Sequence, residues 1–121
     1  MSVVAPISVG ELIDKITILE IKLAKIGNSK ALENIRRELD SLQALNKWSR
    51  LSDETNELRS VNTKLWHVED DLRDLEKKTE FGPLFVSMAR SVYILNDRRS
   101  EIKRRINMAS QSVIVEEKSY Q

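Results

Sequence analysis

The sequence has few of the residues that interrupt helices or support thiol chemistry. It contains no cysteine, three glycines and two prolines among 121 residues. The absence of cysteine excludes disulfides, thiolate nucleophiles and the usual structural zinc ligands. With 40% apolar and 32% charged residues, the composition is typical of a helical protein with solvated outer faces.

Long apolar runs and an excess of one charge are also missing. No apolar run approaches the roughly 20 residues that span a bilayer, and no basic segment followed by an apolar one opens the chain. We therefore expect a cytoplasmic protein with no membrane span and no signal peptide. The 20 basic and 19 acidic residues are well mixed and give a net charge of +1, so we do not expect a nucleic-acid partner.

Apolar residues recur at steps of three and four in two separate segments. This spacing is the a/d seam of packed helices, and the length is that of about one domain. The seam positions are Val9, Leu12, Ile16, Leu19, Leu23 and Ile26 in the first segment, and Leu58, Val61, Leu65, Val68, Leu72 and Leu75 in the second.

Local signals divide the chain into four helices with extended ends. Ser8 and Glu11 have the spacing of a capping box, which opens the first helix, and Pro83 suits the first position of the last one. The sequence predicts an all-α fold, an antiparallel four-helix bundle with long coiled-coil-like helices. Its ends should meet, and they could pair as a short β-ribbon. We predict helices over about 9–26, 29–48, 53–78 and 83–109, with extended segments at 1–7 and 112–118.

Four blocks of this sequence carry a family resemblance. They are ISVGELIDKITILEIKL at 7–23, LWHVEDDLRDLE at 65–76, ARSVYILNDRRSEIKRRIN at 89–107 and VIVEEKSY at 113–120. Together they resemble the recurring blocks of an uncharacterised bacterial family of small helical proteins, a domain of unknown function. The resemblance implies no activity, and it implies only an association with bacterial cell-surface glycan assembly.

The predicted topology gathers charged residues at the end of the bundle where the termini meet. In a pocket, Lys15 and Arg105 would hold a phosphate or a sugar nucleotide, and a carboxylate would orient it or act as a base. If the charges pair with one another, they form only salt bridges. Arg99 occupies a seam position, so burial would require an acidic partner, Asp14 or Asp71. The candidate ligand-binding residues are Glu11, Asp14, Lys15, Arg98, Arg99, Arg105, Glu116, Glu117 and Lys118.

Other polar patterns predict no metal site and no cofactor. His67 lies within one helical turn of Asp70 and Asp71, but two adjacent carboxylates and one imidazole make a poor closed site. Glu54 and Asp71 resemble part of the acidic pattern of helical nucleotide pyrophosphohydrolases. On one continuous helix they would be about 25 Å apart, too far to share an ion within one subunit.

Apolar residues outside the seam indicate an interface. Ile18 and Ile21 make helix 1 apolar around most of its circumference, so it is either the central helix or packs on a second subunit. Trp66, also off the seam, resembles an interface anchor. We therefore favour a non-enzymatic, self-associating interaction or adaptor module, a homo-oligomer that could bind another protein. The alternative is a small-molecule-binding protein or enzyme that uses the charged cluster.

Overall fold

The chain folds into four α-helices, as a computed structural model that describes residues 1–118 shows. This confirms the all-α prediction; Ser119 and Tyr120 of the VIVEEKSY block lie outside the described residues. No helix within the described part is both long and apolar enough to cross a membrane. The helices are α1 (Val9–Lys25), α2 (Ser29–Gln43), α3 (Ser52–Lys77) and α4 (Pro83–Ser110), with a 3-10 turn at Ser49–Leu51.

Side-chain caps set two of the helix starts and one early end. Ser8 Oγ accepts a hydrogen bond from the Glu11 backbone N–H at 3.0 Å, which begins α1. Asn28 caps α2 in the same way. The predicted second helix reached residue 48, whereas α2 ends at Gln43. Asn46 Oδ1 accepts from the Trp48 N–H at 3.0 Å, and this local turn replaces helical hydrogen bonding.

α1 is the central helix of the fold, because it packs against each of the other three. Its two apolar sides serve two cores, and Trp48 packs against both. This position explains the broad apolar circumference of α1. One core joins α1 to α2 through Leu12, Ile16, Leu19, Ile35 and Leu39; the other joins α1 to α3 and α4 through Ile13, Leu51, Leu58, Val61, Leu65, Ile102 and Ile106.

α3 and α4 are consecutive helices that pack against each other; we call this pair the hairpin, and α1 covers it over only part of its length. The hydrogen bonds from α1 to this hairpin reach no further than Asn62 and Arg99. We call the remaining part, residues 66–95, the distal hairpin. There the seam residues Leu72, Phe85, Met88 and Val92 are only half-buried. More than half of the surface is exposed on Phe81, Leu84, Val86, Tyr93 and Ile94.

The two ends of the described chain meet through side chains. The Val9 N–H donates to Ser112 Oγ at 3.2 Å, and Ser112 Oγ donates to the Ile114 carbonyl at 2.7 Å. The Ile114 carbonyl is therefore bonded within the C-terminal segment. The predicted β-ribbon is therefore wrong, since residues 1–118 contain no strand and Val3 and Val4 are exposed.

Candidate functional site

A buried ion pair joins α1 to α4. Asp14 is fully buried, and Arg99 reaches it from α4 with two hydrogen bonds. Arg99 Nε donates to Asp14 Oδ1 at 2.9 Å and Nη2 donates to Oδ2 at 2.5 Å. A guanidinium that grips a carboxylate at two points fixes both its distance and its orientation. The pair therefore sets how α1 lies on α4.

Two neutral side chains complete this group, which we call the Asp14 cluster: Asp14, Thr17, Asn62 and Arg99. Asn62 Nδ2 donates to Asp14 Oδ1 and to Thr17 Oγ1, each at 2.9 Å, and so brings α3 into the cluster. Thr17 Oγ1 donates to the Asp14 carbonyl at 2.8 Å. The hydrogen bond with Asp14 raises the pKa of Arg99 and outweighs the burial that lowers it.

Apart from a 3.4 Å hydrogen bond from Arg99 to Asn96, the side-chain hydrogen bonds of the Asp14 cluster join its own members. Within residues 1–118, every buried side-chain nitrogen and oxygen has a hydrogen-bond partner. A general base needs a lone pair that a substrate can reach, whereas both carboxylate oxygens of buried Asp14 accept hydrogen bonds from members of the cluster. The geometry therefore suits the cluster to holding three helices together.

A second polar group lies where α1 begins and α4 ends; this terminal cluster consists of Ser8, Gly10, Asn107 and Glu116. The Gly10 N–H donates to Asn107 Oδ1 at 2.7 Å, and Asn107 Nδ2 donates to Glu116 Oε2 at 2.9 Å. Ser8 Oγ donates to the other carboxylate oxygen. A Cβ at Gly10 would lie 2.6 Å from the Lys103 carbonyl oxygen. The two helices thus approach so closely that glycine is required.

The Glu116 carboxylate is held in its charged form at the N-terminus of α1. Burial raises its pKa, but the hydrogen bonds from Ser8 and Asn107, its own backbone and the charge of Lys103 outweigh that effect. The pKa of Glu116 therefore lies below the ordinary value of 4.5. A negative charge at this end of a helix also complements the helix dipole.

Glu116 should make the stability of the fold depend on acidic pH. Because its pKa is lowered in the folded chain, the stabilisation is present above the pKa of the unfolded chain and is lost as pH falls through the folded pKa. We expect the melting temperature of the wild type to fall more between neutral pH and about pH 3 than that of Glu116→Gln. The control is Glu80→Gln at an exposed position. An equal decrease in melting temperature for the wild type and Glu116→Gln would contradict the contribution of Glu116 to stability.

The predicted ligand-binding residues are distributed over several ion pairs. Glu11 accepts from Lys103 Nζ at 2.6 Å and lies 3.8 Å from Lys15 Nζ. Arg105 donates to Glu57 on α3. Lys15 and Arg105, the proposed phosphate ligands, therefore face different carboxylates. Arg98 is exposed and has no such partner within residues 1–118.

A groove of about 550 Å³ between α4 and the C-terminal segment brings three of the predicted residues together. They are Glu116, Glu117 and Lys118. The cations in this groove already have carboxylate partners: Lys103 with Glu11, Arg104 with Glu117 at 3.1 Å, and Lys118 with Asp97 at 2.6 Å. An anion that binds them would therefore compete with these carboxylates, although Arg104 uses only one of its five N–H donors in its ion pair. The groove lining is Asp97, Ser100, Glu101, Lys103, Arg104, Glu116, Glu117 and Lys118.

The predicted interface residues differ in exposure. Ile21 is buried, 8% exposed, and Ile18 is half-buried, in keeping with the central position of α1. Trp66 is also half-buried. It lies four residues after Asn62, so it follows the Asp14 cluster along one face of α3.

Sequence reasoning missed the neutral members of both clusters. Thr17, Asn62 and Asn107 carry no charge that would mark a site, although each is buried. One signal was available for Asn62, which lies four residues after Leu58 and three before Leu65 and therefore beside the seam. Asn107 and Gly10 show no comparable pattern.

These features define an all-helical protein in which buried polar side chains connect its helices. The chain belongs to DUF6165, a family of unknown function whose sequence profile matches residues 3–121. This match confirms the family resemblance of the four sequence blocks. Among curated proteins and among solved structures, none matches the chain.

Proposed function

We propose that the protein is a non-enzymatic helical interaction module that self-associates through its distal hairpin. The observation that supports this proposal most directly is the apolar surface of that hairpin. Leu72 and Phe85 are only half-buried on the face that α1 leaves open, and Val86, Tyr93 and Ile94 on other faces of α4 are each more than half exposed. Contiguous apolar patches larger than a few hundred Å² are uncommon on monomers. Covering this surface with another chain would remove it from water.

The internal contacts support a structural use of the polar residues. Gly10 meets Asn107, and Asp14 meets Arg99 two turns closer to the start of α4. Such pairs favour an antiparallel arrangement of α1 and α4, which we include in the proposal. Most of the predicted ligand-binding residues are paired within the fold, so we assign the distal apolar surface to an external partner. The family resemblance implies an association with cell-surface glycan assembly, so an external partner would be a protein of that process.

Self-association should be visible without any ligand. We expect light scattering at micromolar concentrations to give a mass above the 14.0 kDa of one chain, and Trp66→Ala to lower it. The replacement removes a large half-buried apolar side chain at the start of the distal hairpin. His67→Ala, at the exposed neighbouring position, is the control and should keep the wild-type mass. A wild type of 14.0 kDa at every concentration would contradict self-association.

A second candidate function is binding of a phosphate or sugar nucleotide in the groove beside the C-terminal segment. Its support is the presence of Lys103, Arg104 and Lys118 around one cavity. Their ion pairs argue against it. A rise in melting temperature with inorganic phosphate that Arg104→Ala abolishes would favour this second candidate.

A further inference from the structure

We infer that the distal hairpin binds the distal hairpin of a second copy. The binding surface is an open groove on the face of the hairpin that α1 covers nearer to the chain ends. This inference rests on the proposed function and specifies its partner and surface. The groove has a volume of about 400 Å³. Its lining is Leu72, Arg73, Glu76, Lys77, Phe85 and Ala89.

The groove lies along the same face of the hairpin that α1 covers nearer to the chain ends. On α4, Arg99 is followed towards the distal end by Asn96, Val92, Ala89 and Phe85, at alternating steps of three and four. Residues with this spacing share one helix face. α1 contacts that face at Arg99, and within residues 1–118 no hydrogen bond from α1 reaches the part of the face nearer to the start of α4.

The same continuation is present on α3. Asn62, which α1 contacts, is followed by Trp66, Glu69, Arg73 and Glu76 at steps of three and four. Leu72 and Phe85 form an apolar floor between the two helices, and Ala89 has a side chain small enough for another helix to approach. The open part of the hairpin therefore offers the same kind of surface that α1 covers elsewhere.

A second copy fits this groove because the distal hairpin is a single layer of two helices. An apolar layer must be buried against another layer, and two facing hairpins complete a four-helix arrangement. Where α1 supplies the second layer, Leu58 and Ile106 are fully buried. In the distal hairpin Leu75 is buried, but Leu72 and Phe85 remain half-buried.

The charges beside the groove favour an identical partner. Arg73 and Lys77 are positive and Glu76 is negative, and all three line the groove; Arg73 also pairs with Asp70 at 3.0 Å, an exposed ion pair that a partner could replace. A twofold axis presents the same surface from both sides, so charges of both signs can meet opposite charges of the other copy. Charges of one sign would repel their own copy.

A steric variant tests the position of the groove. We expect Ala89→Arg to raise the concentration for half-association about tenfold or more, because the new side chain would fill the space into which a helix of the second copy packs. Ala24→Arg introduces the same side chain at an exposed position on α1 and should leave association unchanged. Circular dichroism would confirm that both variants are helical.

A charge-mixing experiment tests the identity of the partner. Glu76→Lys makes the three groove charges positive, and the double variant Arg73→Glu/Lys77→Glu makes them negative. Each variant alone should associate about tenfold more weakly than the wild type. An equal mixture of the two should recover the wild-type mass, because the grooves are then complementary.

The outcomes separate this inference from the proposed function. A self-associating wild type that Ala89→Arg leaves unchanged would overturn this groove and leave self-association standing. A mixture of the two charge variants that associates no better than either alone would overturn pairing of identical hairpins. A monomeric wild type would contradict both proposals.

Discussion

Replacing Arg99 by alanine should lower the free energy of unfolding by about 3–5 kcal/mol, because it leaves a buried carboxylate without its charged partner. Asp14 is fully buried, and Arg99 supplies two of the hydrogen bonds to it. Asn62 would remain as a donor, but a neutral amide cannot balance the charge. Urea unfolding monitored by circular dichroism measures the loss.

Arg105→Ala provides the matched control for this effect. Arg105 also pairs with a carboxylate, Glu57, but both side chains are more than two-fifths exposed, at 49% and 41%. Exposed ion pairs contribute little, so we expect a loss below about 1 kcal/mol. Equal losses for Arg99→Ala and Arg105→Ala would show that the burial of Asp14 does not have the consequence we assign to it.

Gly10→Ala should be the second strongly destabilising change, at about 3 kcal/mol, because a single methyl group has no room between α1 and α4. The added Cβ would lie 2.6 Å from the Lys103 carbonyl oxygen and 2.9 Å from Asn107 Oδ1. Separating the helices to relieve this contact would stretch the 2.7 Å hydrogen bond from the Gly10 N–H to Asn107. Thermal and urea unfolding would measure the change.

Gly27→Ala separates the packing effect from the general preference of glycine. No atom lies within 4 Å of a Cβ at Gly27, and its φ angle is not positive. Alanine there should change stability by less than about 1 kcal/mol, with a slight gain from the smaller entropy of the unfolded chain. A Gly10→Ala variant as stable as Gly27→Ala would contradict the close approach of α1 and α4.

The sequence predicted the helices best where the apolar spacing was long and regular. The seams from Val9 and from Leu58 correspond to α1 and α3, since period and length together distinguish a helix from a strand. α2 ended five residues before its predicted limit, where the Leu45 and Asn46 N–H groups bond carbonyls three residues back and Asn46 then bonds the Trp48 N–H. The β-ribbon failed because β-branched residues near the termini predict extended chain, but cannot show which groups that chain bonds.

The ion pair could be predicted in part from the position of Arg99. A charge on the seam needs a partner if it is buried, and Asp14 was one of two candidates on this ground. The choice between Asp14 and Asp71 depends on where α1 crosses the hairpin, and the local sequence does not specify that position. The importance of Gly10 was hidden for the same reason, since its constraint comes from Lys103 on another helix.

The exposed surface of the distal hairpin was the hardest feature to predict. The seam from Leu58 to Leu75 continues without a break, so the sequence does not show where α1 stops covering it. The apolar circumference of α1 drew attention to Ile18 and Ile21, but packing on three helices accounts for it. Only the three-dimensional arrangement separates a covered half of the hairpin from an open one.

Hydrogen exchange at low and high protein concentration tests self-association through the distal hairpin most directly. Amides of residues 66–95 should exchange more slowly at high concentration, because a second chain covers that part and suppresses its local opening. Amides of α1 and α2 that exchange by local opening should be unaffected, since their contacts lie within one chain; only amides that require global unfolding should slow throughout. Exchange that is independent of concentration throughout, or slowed only in α1 and α2, would contradict the proposed interface.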